Sequence, residues 1–161
     1  MAKKGILSKG TEFWVLRSNG ANATLTKLSC LKTWDWGDEN YDEIDDDCLD
    51  NPDVATSQFV LGKPNDGSAA IDTDPKNATH ILLLDLAESR EQVVIYAGYS
   101  DGTGIPTVTG NVVDLPETRS WSYASGAFRK GKPVLEKNAL VNHSLPFRRQ
   151  SKITDEWKTT P

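Results

Sequence analysis

The sequence predicts a mainly β fold, a β-sandwich or barrel with one flanking α-helix. Three observations predict it. Short alternating stretches recur along the chain, separated by turns rich in Gly, Asp and Asn. Only one segment keeps helical spacing over several turns. The 161 residues, 37% of them hydrophobic, suffice for one domain with a true core. That domain is read as 1–161, with arms at 1–10 and 151–161 and a long acidic loop at 35–55.

The elements follow in order. Residues 1–10 are small, basic and Gly-containing, so they read as an arm that includes Lys3 and Lys4. Residues 11–17, TEFWVLR, alternate as a first strand, and SNGAN supplies a turn. Residues 24–34, TLTKLSCLKTW, alternate again. Leu25, Lys27, Ser29, Leu31 and Thr33 share one face; Thr24, Thr26, Leu28, Cys30, Lys32 and Trp34 share the other. Neither face is wholly apolar, as expected of a partly wetted barrel or an interface strand. The acidic stretch follows, and TSQFVLG (56–62) reads as the strand returning from it. The acidic piece is therefore expected at the tip of a long hairpin, held open by its own repulsion.

The helix is expected over 72–89, with Asp74 as its cap, Pro75 in its first turn, and Ala78, Ile81, Leu82, Asp85 and Leu86 along one face. EQVVIYAGY (91–99) reads as a strand with a buried centre. TVTGNVVDL (107–115) reads as a weaker strand beyond a turn. TRSWSYASGAFRK (118–130) alternates through Trp121, Tyr123 and Ser125. Residues 130–150 give a turn and a final long strand, where Pro133 and Pro146 favour edges or bends. A C-terminal arm carries an exposed Trp157.

Charge is unevenly spread. The net charge is −5, yet ten acidic and no basic residues lie from Asp35 to Asp53, and seven basic and one acidic from Arg129 to Lys152. Such an asymmetry suits head-to-tail pairing of like chains. The acidic stretch fails as a calcium loop. Counting from Asp38, Asn40 and Asp42 fit, but Glu43 stands where Gly is needed, Asp45 where an apolar residue belongs, and Leu49 at the closing Glu. Acid–base catalysis needs two carboxylates driven apart by burial, not many together on a wet loop. His80 is expected exposed or capping on the helix and His143 on a strand surface, neither with a nucleophile partner. GYSDGTG (98–104) lacks the Lys and the helix of a phosphate loop and reads as a turn. The short basic runs FRKGKP and FRRQSK sit in an acidic protein, which disfavours stable DNA binding. Cys30 and Cys48 form no metal spacing, and no apolar run marks a signal or a membrane span. These features suit a reducing cytoplasm.

Taken together, KGTEFWVLR, ENYDEIDDDCLD, THILLLDLAES and SWSYASGAFRKGKPVLEKNALVNHSLPFR, in that order over residues 9–150, resemble the major tail tube protein of long, flexible-tailed bacteriophages. The 100–117 region is longer and richer in Pro and Gly than that family's pattern, and the chain reads as the bare tube module, without the immunoglobulin-like domain that some members carry. The resemblance implies a structural virion protein, not an enzyme, with no cofactor. Its fold would be two packed sheets with a flanking helix. Six subunits would form a ring, with one sheet from each completing a barrel around a lumen, and rings would stack into a tube. The arms and the long loop would bridge neighbours. The implied partners are further copies of the chain, the tape-measure protein, the tail terminator and tail-tip proteins. Double-stranded DNA would pass the lumen without specific binding, no membrane would be involved, and assembly would take place in the host cytoplasm.

Candidate interface residues follow. On the acidic side they are Asp42, Glu43, Asp45, Asp46, Asp47 and Asp50 as charge partners, with Tyr41 and Leu49 as apolar anchors. On the basic side they are Arg129, Lys130, Arg148 and Arg149, with Lys3 and Lys4 in the arm. Trp157 would anchor the C-terminal arm. Two other readings compete: an acidic-loop module binding a divalent cation or a basic partner, and a small hydrolase using Asp45, Asp46 and Asp47.

Overall fold

The computed structural model describes residues 5–46, 48–50 and 57–159. In chain order the first strands are β1 (Glu12–Asn19), β2 (Asn22–Leu28), β3 (Leu31–Asp35), β4 (Glu39–Asp45), β5 (Ser57–Pro64) and β6 (Gly67–Asp72). The helix α1 (Ala78–Ser89) precedes β7 (Gln92–Gly98), β8 (Thr107–Thr109), β9 (Val112–Asp114) and β10 (Trp121–Phe128). The chain closes with β11 (Pro133–Val134), β12 (Asn142–Arg149) and β13 (Thr154–Glu156). The fold is mainly β with one helix, as the alternation predicts.

The main sheet runs β2-β1-β7-β10-β12-β6-β3, with β11 on β12 and β13 on β10; β4-β5 and β8-β9 are separate hairpins. β1 alternates Phe13 and Val15 to one side, Trp14 and Leu16 to the other, and both sides are covered. β1 and β3 stand far apart in the strand order, yet Phe13 of β1 lies 5.5 Å, ring to ring, from Trp34 of β3. The sheet must therefore roll over so that its two ends face each other, which is the layered arrangement of a sandwich. Val15, Leu28, Ala69, Ile71, Ile95, Phe128, Leu145 and Phe147 fill the space between. Trp34 also meets Trp36, Phe128 and Phe147, so an aromatic cluster seals the β3 end.

The outward side of β1, β7 and β10 has its own smaller core. Trp14, Leu16, Tyr96 and Trp121 are covered by Val108 and Val113 of the β8–β9 hairpin and by Leu115. Residues 107–115 thus form two short strands around Gly110 (φ 61°), not the single strand expected. The Arg119 guanidinium stands over both Trp14 and Trp121. It donates to the Gly98, Tyr99 and Gly104 carbonyls and to Glu12.

Further expectations are corrected. The expected strand over 24–34 breaks at Ser29–Cys30, where Cys30 takes φ 59° and the start of the helix plugs the gap. Thr79 Oγ1 accepts from the Ser29 amide, and His80 Nε2 donates to the Ser29 carbonyl. His80 is accordingly buried, not exposed, and its Nδ1 accepts from the Asp74 amide. The helix starts at Ala78 because Gly67–Asp72 is committed to the sheet. Asp74 instead caps a turn, accepting from the Lys76 amide, and Asn77 is the N-cap, accepting from the Thr79 amide at 3.0 Å. Its buried face is His80, Leu83, Leu86 and Ala87, and Ile81 turns outward. Pro146 lies in β12, between β10 and β6, rather than at an edge. Its carbonyl accepts from Arg129, just past the last β10 pair, Phe128↔Phe147. Its missing donor therefore points to where the ladder with β10 has already ended.

Candidate assembly surfaces

β4 and β5 form a two-stranded ribbon on which every residue from Glu39 to Asp45 and from Ser57 to Lys63 is exposed. The register shifts between Tyr41↔Gly62 and Glu43↔Phe59, leaving Val60 and Leu61 opposite Asp42 as a bulge. Tyr41 packs edge-on against Phe59, and polar bonds cross the ribbon from Ser57 to Glu43 and from Gln58 to Asp46. A lone two-stranded ribbon is marginal in water. This one also holds Ile44, Phe59 (73% exposed) and Leu61 (80%) out in solvent, beside the carboxylates of Asp42 and Glu43. Leu49 and Asp50 lie exposed near its tip. Apolar side chains ringed by charge, with no cover of their own, are the mark of a surface that meets another molecule.

The root of the ribbon is electrostatically unusual. The Tyr41 hydroxyl donates to Glu39 Oε2 at 2.8 Å, and that bond pushes the phenol pKa up. Glu39 Oε1 lies 3.6 Å from Nη1 of Arg149. Arg149 is not on the surface, as the sequence reading had it, but fully buried, and none of its three nitrogens makes a hydrogen bond to a described residue. Leu145, Phe147 and Arg149 share the inward face of β12, so its alternation carries the guanidinium inside.

The other nominated cations also find partners within the subunit. Arg129 and Arg148 both hold Asp66, the latter at 3.1 Å, and Lys130 holds Glu88 at 2.8 Å. The Lys130 hydrogen bond keeps the Glu88 carboxyl below the usual carboxylate range. Trp157 is exposed and stacks on Tyr99, with rings 14° from parallel. The C-terminal segment lies along its own subunit: β13 pairs with β10, and Lys158 bonds to Ser120 and Asp101. Lys3, Lys4 and Asp47 lie outside the described residues. The structure thus gathers Tyr41, Asp42, Glu43 and Asp45 on one ribbon, but scatters the basic set over Asp66, Glu88 and the ribbon root. Two exposed cations that the sequence reading passed over, Lys132 and Lys137, lie beside exposed Leu135 and Leu140.

The ribbon's carboxylates face solvent, and among the described residues no three His, Cys, Asp or Glu side chains converge to hold a metal ion. A cleft of about 370 Å³ is lined by Glu12, Trp14, Lys27 and Arg119. Glu12 there is bonded by Lys27 and then Arg119, which hold its carboxyl below the ordinary range against the opposing effect of burial. These groups are locked on one another rather than poised for a substrate.

Comparison with known proteins decides what the ribbon-bearing sandwich is. The family described as phage tail tube, TTP, lambda-like, matches residues 4–159. The chain belongs to that family. A curated relative, "Structural protein 3" of Pseudomonas phage PAJU2, is 27% identical over 153 residues, covering 90% of each chain. The fold resembles the SPP1 tail tube, with a TM-score of 0.66 at 8% identity over 97% of this chain and 81% of that one. It also resembles a chain of the six-fold symmetrised anti-feeding prophage baseplate, with a TM-score of 0.60 at 7% identity over 99% of this chain and 100% of that one. The resemblance carried by the four sequence segments is borne out. This tail tube protein is a structural component of the phage virion, not an enzyme, and it assembles with copies of itself into a tube. Among its described residues no helix is long and apolar enough to cross a membrane.

Proposed function

We propose that this tail tube protein forms rings of six subunits that stack into a hollow conduit. The conduit holds the tape-measure protein during assembly and passes double-stranded DNA into the host on infection. The observation that carries this reading is the uncovered β4–β5 ribbon on a chain that matches the tail tube family almost end to end. Its likeness in fold to a chain of a six-fold symmetrised assembly supports the ring number. Among the described residues β3 pairs only with β6, so its other edge is free to continue a sheet into a neighbouring copy. That edge suits a barrel shared around a lumen. The net charge of −5 suits a wall that lets phosphate pass without holding it. The tail terminator and tail-tip proteins would cap the two ends of the stack, and assembly would take place in the host cytoplasm.

The test is sedimentation velocity with negative-stain microscopy on purified chain over rising concentration. Rings and rods that grow with concentration support the reading. Dispersed monomers throughout, including with tail-tip initiator added, contradict it.

A further inference from the structure

The cations that the subunit leaves unpaired are not the arginines singled out by the sequence. Among the described residues Lys132 and Lys137 are exposed and make no ion pair, whereas Arg129, Lys130, Arg148 and Arg149 each do. The loop they flank is apolar as well. A turn from Glu136 to Ala139, with Asn138 at φ 64°, leaves Leu135 and Leu140 74% and 71% exposed on its two sides. Val134 and Val141 are exposed beside them. Two apolar pairs thus stand exposed on either side of a tight turn that holds Glu136 and Lys137, with Lys132 just before the first pair.

The position of this loop matters as much as its chemistry. β12 leaves the loop at Asn142, paired with Asp72, and ends at Arg149 beside Glu39, the root of the ribbon. From Asn142 to Arg149 the strand spans about 23 Å at the usual rise per residue. The acidic, apolar ribbon and the basic, apolar loop therefore leave from opposite ends of one strand pair, β6 and β12.

We propose that the loop at 132–141 of one copy is the seat for the β4–β5 ribbon of the next copy. This rests on the tube reading and names the surface that the ribbon meets. The loop would straddle the ribbon, one leucine meeting Ile44 on the face it shares with Asp42 and the other meeting Phe59 on the face it shares with Glu43, with Lys132 and Lys137 against those two carboxylates. Two ribbons repel each other through Asp42 and Glu43, so the ribbon does not pair with its own kind, whereas the loop, with Lys132 and Lys137 against one Glu136, is net positive. Complementary surfaces at opposite ends give a heterologous contact that propagates and does not close, as stacking requires.

Two experiments decide it. In the first, Lys132→Glu with Lys137→Glu is compared with wild type by negative stain, each subunit's folding being checked by its melting curve. The expected result is loss of tubes with an unchanged melt, and recovery when Asp42→Lys and Glu43→Lys are added to the same chain. Tubes from the lysine variant at the wild-type critical concentration overturn the proposal and leave the tube reading standing. Dispersed wild-type protein overturns both. In the second, tubes grown from mixed isotopically light and heavy wild-type chains are joined with a carbodiimide and mapped by mass spectrometry. Mixed-isotope links from Lys132 or Lys137 to ribbon carboxylates are expected. Ribbon carboxylates joined only to other lysines overturn the proposal.

Discussion

Glu39→Gln and Arg149→Met remove the two halves of one ion pair, and the structure predicts opposite outcomes. Among the described residues Arg149 is buried with no hydrogen bond, and Glu39 Oε1, 3.6 Å away, is the one carboxylate paired with it. Glu39→Gln leaves the guanidinium with no counter-charge, while the amide oxygen still accepts from Tyr41. An orphaned buried charge costs 3–5 kcal/mol. Because the Glu39 side chain is 33% exposed, water already shares the pairing, and we place the loss at about 3 kcal/mol, the lower end of that range. For a chain of this size that is a fall in Tm of about 6–12 °C. Arg149→Met removes the poorly bonded charge and keeps the volume, leaving Glu39 able to turn to water. Its change is expected within about 1 kcal/mol of zero, in either direction. Thermal and urea melts of unassembled subunits, followed by circular dichroism, provide the measurement. Equal losses from the two variants would refute the reasoning, because they would mean that the guanidinium is well bonded. No loss from Glu39→Gln would refute it too. Arg149→Glu would set a second carboxylate beside Glu39 inside the subunit and is expected to unfold it.

Other outcomes follow from the same structure. A Cβ at Gly131 would stand 1.7 Å from the Ser144 carbonyl oxygen, so Gly131→Ala is expected to cost about 1–3 kcal/mol in a urea melt. Gly20, with open space around it but φ +79°, should show only the smaller backbone strain when changed to Ala, about 1 kcal/mol. Bonds from Lys27 and Arg119 hold the folded Glu12 below its ordinary value of 4.5, so its contribution is complete above that value and is lost as pH falls through the depressed one. Acid melts should therefore show Glu12→Gln less stable than wild type at neutral pH and the two converging in acid. A constant gap down to the lowest pH would contradict this. Phe59→Ser with Leu61→Ser should leave the subunit's Tm unchanged, because both side chains are exposed. If the ribbon is covered on assembly, burial worth about 1.5–3 kcal/mol per side chain is lost, and the critical concentration for tubes should rise at least tenfold.

The parts of the fold that the sequence makes legible are those where alternation is strong and both faces matter. β1, β7 and β10 carry large apolar residues on alternating positions, and the structure covers both of their faces. β6 carries almost nothing readable: GSAAID has small side chains, and only burial by its neighbours makes Ala69 and Ile71 core residues. The helix start was misplaced because an Asp-Pro pair marks a turn as readily as a first helical turn, and the sheet had already claimed the preceding residues. The run ILLLDL left the helix's phase open, and contact with Ser29 fixed it by drawing His80 inward.

The candidate surface divides in the same way. The acidic residues were legible as a cluster because charge density is a local property. Which cations remain free to meet them is not local. Asp66 takes two arginines from β12 and the end of β10, and Glu88 of the helix takes Lys130. Those pairings depend on elements far apart in sequence. Arg149 was the exception, since its parity with Leu145 and Phe147 pointed inward from the start. The apolar half of the ribbon was half legible: Tyr41 and Leu49 were named, while Phe59 and Leu61 were read only as a returning strand.

The most direct test of the account is a helical cryo-electron microscopy reconstruction of tubes grown from the purified chain. The expected result is a hollow tube of stacked rings with six subunits each, with the β4–β5 ribbon of every subunit buried against another copy. A filament without a lumen, a ring of another symmetry, or a tube whose ribbons stand free in solvent would contradict it.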